Sequence, residues 1–303
     1  MRRAGCYVEV FEQDKTIGGR LATYRVGMTS FDHGAQYLMA RTPRFKAYID
    51  ELVQTGYAAS WNPRSVAGAD GAGQTQQWYV GTPSMNSAVR PLAEGVRIHT
   101  GRRVHTIQRV DKSWYLWFED QTSAGPYAAV AVAVPARDAR LLLGRFEQIA
   151  QPIDKVQFLP CWAVMVSLPE RVLMEADVFS DMSKIIRWIS RNNAKPHRTG
   201  RGDQIVIHAA QAWSRETQDF DPDSVAEELW SETSNVLGLP PIRPASMTAV
   251  LWRNALVETP LGESCLYSRE LQVGACGDWC LGRLAEQAYD SGAQLGQLMV
   301  DNF

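Results

Sequence analysis

The sequence predicts an α/β protein with a nucleotide-binding domain, and three segments support that prediction. Tyr7–Phe11 alternates and carries branched side chains like a β-strand, and the acidic Glu12 follows it. Tyr127–Ala136 is a continuous run of small and branched apolar residues, which is typical of a buried parallel strand. Near the carboxyl end, a strand leads into Gly277-Asp278 and then a long helix. We therefore expect one domain built from both ends and the middle of the chain, with a second domain inserted twice.

The composition narrows the range of partners. A net charge of -2 over 303 residues gives no electrostatic reason to expect nucleic acid or an acidic membrane as a partner. No apolar run reaches the length of a membrane span, and no signal-peptide core follows Met1. The five cysteines are odd in number and scattered, which fits a reducing cytosol, so we expect a cytoplasmic protein. The oligomeric state is not indicated.

Hydrophobic periodicity predicts the remaining elements. Helices are expected at Thr42–Thr55, around Met85–Leu92, at Pro222–Leu237 after the capping residue Asp221, and at Leu284–Met299. Strands are expected at Trp78–Gly81, Val96–His99, Arg103–Val110, Trp114–Glu119, Trp162–Ser167 and Gln204–Ala209. The polar run Ala67–Gln77 predicts an exposed loop.

Gly18-Gly19-Arg20 has two interpretations. In a dinucleotide-binding βαβ unit, an acidic residue that closes the second strand binds the adenosine ribose, and Glu12 occupies that position. The two glycines then let the backbone approach a pyrophosphate, while Arg20 supplies a charge for its oxygens. The alternative is a loop in which glycine is needed only for positive φ.

Gly277-Asp278 lies between a strand and the last long helix. The carboxylate can be a simple helix N-cap. In a nucleotide domain, the same position presents helix N–H groups to a phosphate and the carboxylate to a polyol hydroxyl. Together with the amino-terminal motif, it favours a cofactor site.

Several motifs in chain order resemble one enzyme family. EVFEQDKTIGGRLAT, FDHGAQY, VAVPA and ACGDWC are similar to segments of the FAD-dependent amine oxidase superfamily. WISRNNAKPHR, IVIHAAQAWS and LWRNAL look like segments of bacterial renalases and renalase-like NAD/FAD-dependent oxidoreductases. The resemblance runs from about Gly5 to Met299.

This resemblance implies a fold, a cofactor and a reaction. The fold would be a Rossmann-type FAD-binding domain with an inserted α+β substrate domain on a mixed or antiparallel sheet. The FAD domain would comprise residues 1–40, 82–137 and 265–303, and the substrate domain residues 41–81 and 138–264. Bacterial renalases oxidise the 2- or 6-dihydro isomers of nicotinamide dinucleotides to NAD(P)+ and pass the electrons to oxygen, which yields hydrogen peroxide. The partners would then be a small-molecule substrate and molecular oxygen, with no nucleic acid and no membrane.

The resemblance also assigns cofactor-binding positions. Glu12 would bind the adenosine ribose, Val104 would flank the adenine, and Asp278 would bind the ribityl and pyrophosphate part. The full set of expected FAD-binding residues is Glu12, Gly18, Gly19, Arg20, Ala35, Gln36, Tyr37, Val104, Gly277, Asp278 and Glu286. No residue is assigned a catalytic role, because the flavin carries the hydride chemistry.

Some residues of the inserted region have two interpretations. Trp188, Trp213 and Trp252 can line the substrate pocket or fill the core, and His208 can be a pocket residue or a core histidine. Asn192 and Lys195 can contact polar groups of a dinucleotide, although KPHR can equally be a solvated turn. His33 and His197 lack a carboxylate or cysteine at metal-ligand spacing, so no metal site is predicted.

The resemblance begins at the end of the first Rossmann helix. The first strand and its G-x-G-x-x-G loop are therefore missing from the sequence. Our hypothesis is that Met1 lies within that helix in a longer gene product. The alternative is a truncated chain that holds FAD weakly or not at all. Two further functions stay open, namely a flavin amine oxidase acting on a small or polycyclic amine, and a non-catalytic binding protein.

Overall fold

The computed structural model describes residues 1–27, 29–67 and 76–302. Most of the predicted loop at Ala67–Gln77 lies outside the described residues. The strands are β1 Glu9–Phe11, β2 Tyr24–Val26, β3 Thr29–Phe31, β4 Ala58–Trp61, β5 Ser65–Ala67, β6 Trp78–Gly81, β7 Arg97–His99, β8 Val104–Val110, β9 Ser113–Phe118, β10 Ser123–Tyr127, β11 Val130–Val132, β12 Gln157–Ser167, β13 Val178–Ser180, β14 Ile186–Arg191, β15 Gln204–Ala209, β16 Ser246–Thr259, β17 Leu266–Ser268 and β18 Val273–Ala275.

The α-helices are short except for three. They are α1 Pro43–Gln54, α2 Arg90–Ala93, α3 Ala136–Leu142, α4 Glu147–Ala150, α5 Gln211–Glu216, α6 Pro222–Val236, α7 Asp278–Leu281 and α8 Ala285–Val300. Turns of 3-10 helix cover Arg2–Ala4, Gly19–Leu21, Met85–Val89, Gln151–Lys155 and Asn192–Ala194. No helix of the described ranges combines the length and the apolar character needed to cross a bilayer.

Two parallel strand pairs form the first part of the fold. β1 pairs with β7, and β11 pairs with β18, which also pairs antiparallel with β17. An antiparallel sheet of β8, β9 and β10 packs beside them around one hydrophobic core. Two buried indoles cross-link this core, because Trp114 donates to the Leu271 carbonyl at 2.9 Å and Trp279 donates to the Val134 carbonyl at 3.1 Å.

The second part is built on a six-stranded sheet. Its strand order is β16-β12-β15-β14-β13-β5, and all neighbours are antiparallel except β13 and β5. Helix α6 packs on this sheet and buries Val225, Leu229 and Trp230. Seven consecutive residues of β12 are buried, so both faces of this strand are covered, and Trp162, Val164 and Val166 belong to the second core.

Helix α1 joins α8 to the antiparallel pair of β4 and β6. Its N-cap Thr42 accepts from the Phe45 N–H, and the helix buries Phe45, Tyr48, Ile49 and Leu52 against β4 and β6. The Glu286 carboxylate of α8 accepts from the backbone N–H groups of Arg41 and Thr42 at 2.8 and 2.7 Å. A buried carboxylate at this position satisfies N–H groups at the start of α1.

The predicted α/β fold class is confirmed, with one correction at Tyr127–Ala136. We predicted one buried strand, but β10 ends at Tyr127 and β11 covers only Val130–Val132, with Ala131 and Ala133 exposed. The reason is that, among the residues that the structure describes, β11 pairs only with β18, and its other side faces a cavity. The domain boundaries stay predictions.

The cap of α6 provides a test of this fold. The Asp221 carboxylate accepts from the Ser224 N–H at 3.0 Å. Asp221→Ala should lower the free energy of unfolding by about 1 kcal/mol, because it leaves that N–H without its acceptor. Asp221→Asn keeps an acceptor and is the matched control. Urea unfolding measures both variants, and a wild-type midpoint for Asp221→Ala would contradict the assignment.

Candidate cofactor and substrate site

A large cavity is bounded by the two parallel strand pairs and the six-stranded sheet. Its volume of about 1950 Å³ exceeds the roughly 300–1,000 Å³ of a pocket for one drug-sized ligand. Its wall includes β1, the segments at 18–21 and 33–39, one side of β11, part of β16 and Gly277–Trp279. The cavity therefore has room for a dinucleotide-sized cofactor together with a substrate.

Arg20 joins three walls of this cavity. Its Nη2 atom lies 2.5 Å from Asp278 Oδ1, and its Nη1 atom donates to the Ala255 carbonyl of β16 at 3.1 Å. Its own carbonyl accepts from the Ala35 N–H at 2.8 Å. Asp278 is buried, so this pair places one shielded carboxylate and one half-buried guanidinium at the cavity wall.

Two glycines permit close backbone approach at the wall. Gly34 has no room for a side chain, because a Cβ atom there would lie 2.0 Å from the Arg20 carbonyl oxygen. Gly18 has φ of 129°, and a Cβ atom there would lie 3.1 Å from Asn86 Cβ. Backbone rather than side chains therefore lines the cavity at these positions.

A buried ionic cluster lies behind the segment that carries Gly34. Asp32 Oδ2 accepts from Arg198 Nη2 at 2.6 Å and from Arg198 Nε at 3.0 Å, and Lys195 Nζ lies 3.4 Å away. Asp32 Oδ1 accepts from the Thr23 hydroxyl and the Met85 N–H. The side chains of all three charged residues are essentially inaccessible. KPHR is therefore not a solvated turn.

The cluster carries more positive than negative charge. Although burial alone would raise the pKa of Asp32, Lys195 and Arg198 together hold that pKa below its usual value. Burial lowers the pKa of Lys195 to about 8, against the favourable effect of Asp32. One carboxylate thus faces two cationic side chains in a dry environment. The protein behind this wall of the cavity is biased toward positive potential.

Gln36 connects the cluster to the cavity. Its Oε1 atom accepts from the Ser190 hydroxyl at 2.8 Å and from Lys195 Nζ at 3.1 Å. Its Nε2 atom donates to the carbonyls of Asp32 and Gly34, at 2.5 and 3.1 Å. Every hydrogen-bonding atom of this amide is therefore engaged, and the backbone from Asp32 to Gln36 is fixed from the six-stranded sheet.

His208 and Trp252 hold the same segment from the cavity side. His208 Nε2 lies 3.1 Å from the His33 carbonyl oxygen, which also accepts from Trp252 Nε1 at 3.1 Å. Burial lowers the pKa of His208 to about 4, so its imidazole is neutral at neutral pH. Burial also lowers the pKa of His33.

Aromatic rings form another part of the wall. Tyr37 stacks on Trp78 with ring centroids 4.1 Å apart, and Trp188 packs against both at 5.5 and 5.7 Å. Trp252 lies 5.0 Å from the His33 ring. Flat rings at the cavity wall suit a flat ligand, because offset and edge contacts with aromatic groups are favourable.

The structure brings most of the predicted site residues to the cavity. Those that line it are Glu12, Gly18, Gly19, Arg20, Ala35, Gln36, Tyr37, Val104, Gly277, Asp278, Trp188, His208 and Trp252. The Glu12 carboxylate follows β1 and accepts from the Asp14 N–H at 2.9 Å. A carboxylate at a strand end, close-approach glycines and a buried Asp278 suit the ribose and phosphate groups of a dinucleotide such as FAD.

Besides Lys195, which is buried in the ionic cluster, three predicted residues lie elsewhere. Glu286 binds the start of α1, as described above, and is not part of the cavity wall. Asn192 is buried, donates to the Ser30 carbonyl and accepts from the Asp32 N–H, so it supports the wall from behind. Trp213 packs against the core of the six-stranded sheet. Within the described residues, no group of His, Cys, Asp or Glu is arranged to hold a metal ion.

Sequence reasoning missed Gly34, Asp32, Ser190 and Arg198. Gly34 lies in the motif FDHGAQY, so the motif itself was the available signal. Asp32 and Arg198 are 166 positions apart, and no local pattern indicates that they pair. Their burial follows only from the packing of two distant segments.

Comparisons with known proteins concern the family and the fold. A family model for flavin-containing amine oxidoreductases matches residues 69–289, and a model for NAD(P)-binding Rossmann-like domains matches residues 1–52. The fold is similar to cyclohexylamine oxidase from Brevibacterium oxydans IH-35A, with a TM-score of 0.73, 11% identity and coverage of 99% of this chain and 94% of the other. It is also similar to an oxidoreductase from Methanosarcina mazei, with a TM-score of 0.68, 12% identity and coverage of 97% and 95%.

Gly34 provides a direct test of the cavity wall. Gly34→Ala should lower the free energy of unfolding by about 1–3 kcal/mol and reduce the flavin bound per chain, because the wall must move to accommodate the methyl group. The control is Gly292→Ala in α8, where a Cβ atom meets nothing within 4 Å. Absorbance of the purified proteins gives the flavin content. A Gly34→Ala protein with wild-type flavin content and stability would contradict the geometry.

The lowered pKa of Lys195 predicts how the free energy of unfolding changes with pH. Its pKa of about 8 in the folded chain lies below the ordinary value of 10.5, so between these two pH values the unfolded chain binds more protons. The free energy of unfolding should therefore rise with pH across this window. Below pH 8 lysine is protonated in both states, and its contribution is constant. Urea unfolding from pH 7 to pH 10 measures the slope.

The matched variants are Lys195→Met and Lys184→Met. Lys184 is exposed, so its replacement should leave the wild-type slope unchanged. Lys195→Met should lose the part of the slope that comes from Lys195. Identical slopes in the wild type and Lys195→Met would show that Lys195 titrates as an ordinary lysine.

Proposed function

We propose that this chain, which belongs to the family of flavin-containing amine oxidoreductases, oxidises a dihydronicotinamide dinucleotide in the 2- or 6-dihydro form. The products are NAD(P)+ and hydrogen peroxide, with oxygen as the acceptor. Membership of the family makes the chain an FAD-dependent oxidoreductase. The identity of the substrate is the part that we propose.

The charge at the substrate end of the cavity carries this proposal. In the described residues, the six-stranded sheet and the turn after β13 bring one carboxylate to the cavity, Asp181, and Arg187 neutralises it. Behind the wall, Lys195 and Arg198 outnumber Asp32. An ammonium group would meet positive potential without a free counter-ion, whereas a dihydronicotinamide ring is uncharged.

We propose that the residues of the amino-terminal motif and of α7 hold FAD. Glu12 would bind the adenosine ribose, the backbone at Gly18 and Gly19 would follow the pyrophosphate, and Asp278 would bind the ribityl hydroxyls with Arg20 beside it. The segment from Gly34 to Tyr37 would lie against the flavin. When bound, FAD supplies the hydride acceptor and transfers the electrons to oxygen.

The chain's own residues orient the reactants and exclude water. The hydrogen bonds of Gln36 and the ionic cluster at Asp32 keep the wall segment rigid, so a ring placed against it keeps its position. The aromatic group of Tyr37, Trp78 and Trp188 offers apolar surface to a flat ring. No protein group needs to take the hydride.

The second candidate is oxidation of a small amine. The observation that favours it is the similarity in fold to cyclohexylamine oxidase, together with the match to the amine oxidoreductase model. At 11% identity, that similarity concerns the fold and not the substrate.

Parallel turnover assays separate the two candidates. The FAD-loaded protein is given the 2- and 6-dihydro isomers of NAD(P)H, the ordinary 4-dihydro form as a control, and cyclohexylamine. We expect one hydrogen peroxide and one NAD(P)+ for each 2- or 6-dihydro molecule consumed, and no comparable turnover of the amine. Peroxide formation from the amine with inert dihydro isomers would reject our proposal in favour of the second candidate.

A further inference from the structure

We infer that His208 is a substrate-binding residue whose Nδ1 atom accepts a hydrogen bond from an N–H group of the uncharged substrate. The inference rests on the proposed function for the identity of that substrate, since a carboxamide supplies the N–H group. The role follows from the hydrogen bonds that fix the imidazole on its other side.

The Gln36 amide has one possible orientation. Lys195 Nζ has only hydrogen atoms to offer, so the Gln36 atom 3.1 Å from it must be the oxygen. The opposite atom is then the nitrogen, and it lies near two carbonyl oxygens, those of Asp32 and Gly34. These carbonyls use both hydrogens of the amide. The orientation is therefore fixed independently from both ends.

The orientation of Gln36 determines the tautomer of His208. Gln36 Nε2 lies 3.4 Å from His208 Nε2, but it has no hydrogen left to donate. The remaining neighbour of His208 Nε2 is the His33 carbonyl oxygen at 3.1 Å, which can only accept. His208 Nε2 must therefore carry the proton. In a neutral imidazole, Nδ1 is then an unprotonated acceptor.

The other ring nitrogen of His208, Nδ1, faces the cavity. Within the described residues, Nδ1 of His208 has no hydrogen-bond partner, and it is not among the polar atoms sealed away from solvent. His208 itself lines the cavity, as does Trp252, which donates to the same His33 carbonyl oxygen. The unprotonated nitrogen is therefore accessible from the cavity. The pKa of about 4, lowered mainly by burial, keeps this nitrogen unprotonated at neutral pH.

The substrate class follows from the acceptor and the charge around it. Nδ1 requires a donor, so the ligand must offer an N–H or O–H group. Lys195 and Arg198 lie behind the same wall, and their surplus charge disfavours a donor that is itself cationic. A carboxamide on a flat uncharged ring satisfies both conditions. The dihydronicotinamide of the proposed reaction carries such a group.

The first experiment reads the tautomer without any turnover. Nitrogen-15 spectra of histidine-labelled protein distinguish a protonated from an unprotonated ring nitrogen, and the His208 signals are identified by their loss in His208→Gln. We expect the proton on Nε2 at pH 7, and a shift of the Nδ1 signal toward the hydrogen-bonded value when nicotinamide is added. A proton on Nδ1 in the wild type would overturn the inference, as would an Nδ1 chemical shift that stays unchanged at saturating nicotinamide.

The second experiment uses two variants that each preserve one ring nitrogen. His208→Asn places an oxygen near the position of Nδ1, whereas His208→Gln reaches the position of Nε2 and keeps the donor to His33. The dissociation constant of nicotinamide, followed by the flavin spectrum, should rise about 2- to 12-fold in His208→Gln. This range corresponds to the net free energy of one neutral hydrogen bond. It should rise less in His208→Asn. Equal affinities in His208→Gln and the wild type would refute the acceptor role.

Failure of this inference and failure of the proposed function give different results. The turnover assays with wild-type protein decide whether dihydronicotinamide is the substrate. The spectra and binding constants decide whether His208 Nδ1 accepts from a carboxamide. Suppose that the wild type oxidises only amines and shows the Nε2 tautomer, and that His208→Gln weakens nicotinamide binding. The proposed reaction would then be rejected, and the binding role of His208 would be retained.

Discussion

The site depends on the burial of one carboxylate, that of Asp32, between two parts of the chain. Asp32 follows β3, whereas Lys195 and Arg198 come from the segment between β14 and β15. Removing one partner of a buried ion pair lowers the free energy of unfolding by about 3–5 kcal/mol. Few other arrangements of these side chains are therefore stable. It holds the segment from Asp32 to Gln36 in one position, and that segment forms the cavity wall.

The same contact determines what the cavity accepts. Because two cations surround one carboxylate, the wall is rigid and also biased toward positive potential. Arg20 and Asp278 form a balanced pair at another wall, near the residues that suit a dinucleotide. A balanced ion pair beside the residues that suit a dinucleotide, and a surplus of positive charge behind the Gly34 segment, fit a bound cofactor together with an uncharged substrate.

The sequence predicted more of the fold than of the site. Periodicity located α6, β6 and β15 closely, because caps and alternation are local features. It missed the 14-residue strand β16, whose residues are mostly half-buried rather than alternating. Family resemblance identified Glu12, Arg20 and Asp278 at the cavity. It did not indicate that Glu286 binds the start of α1, or that Lys195 is buried, because both depend on contacts between distant segments.

The most direct test of the positive potential at the substrate end compares two flat ligands of nearly the same shape, one neutral and one cationic. Benzamide is neutral, and benzamidinium is its flat cationic counterpart. Their dissociation constants from the FAD-loaded protein at pH 7, followed by the flavin spectrum, measure the electrostatic preference of the substrate end alone. The account predicts that benzamide binds more tightly than benzamidinium and that added salt narrows the difference. Tighter binding of benzamidinium would contradict it, since the cavity would then favour a cationic amine.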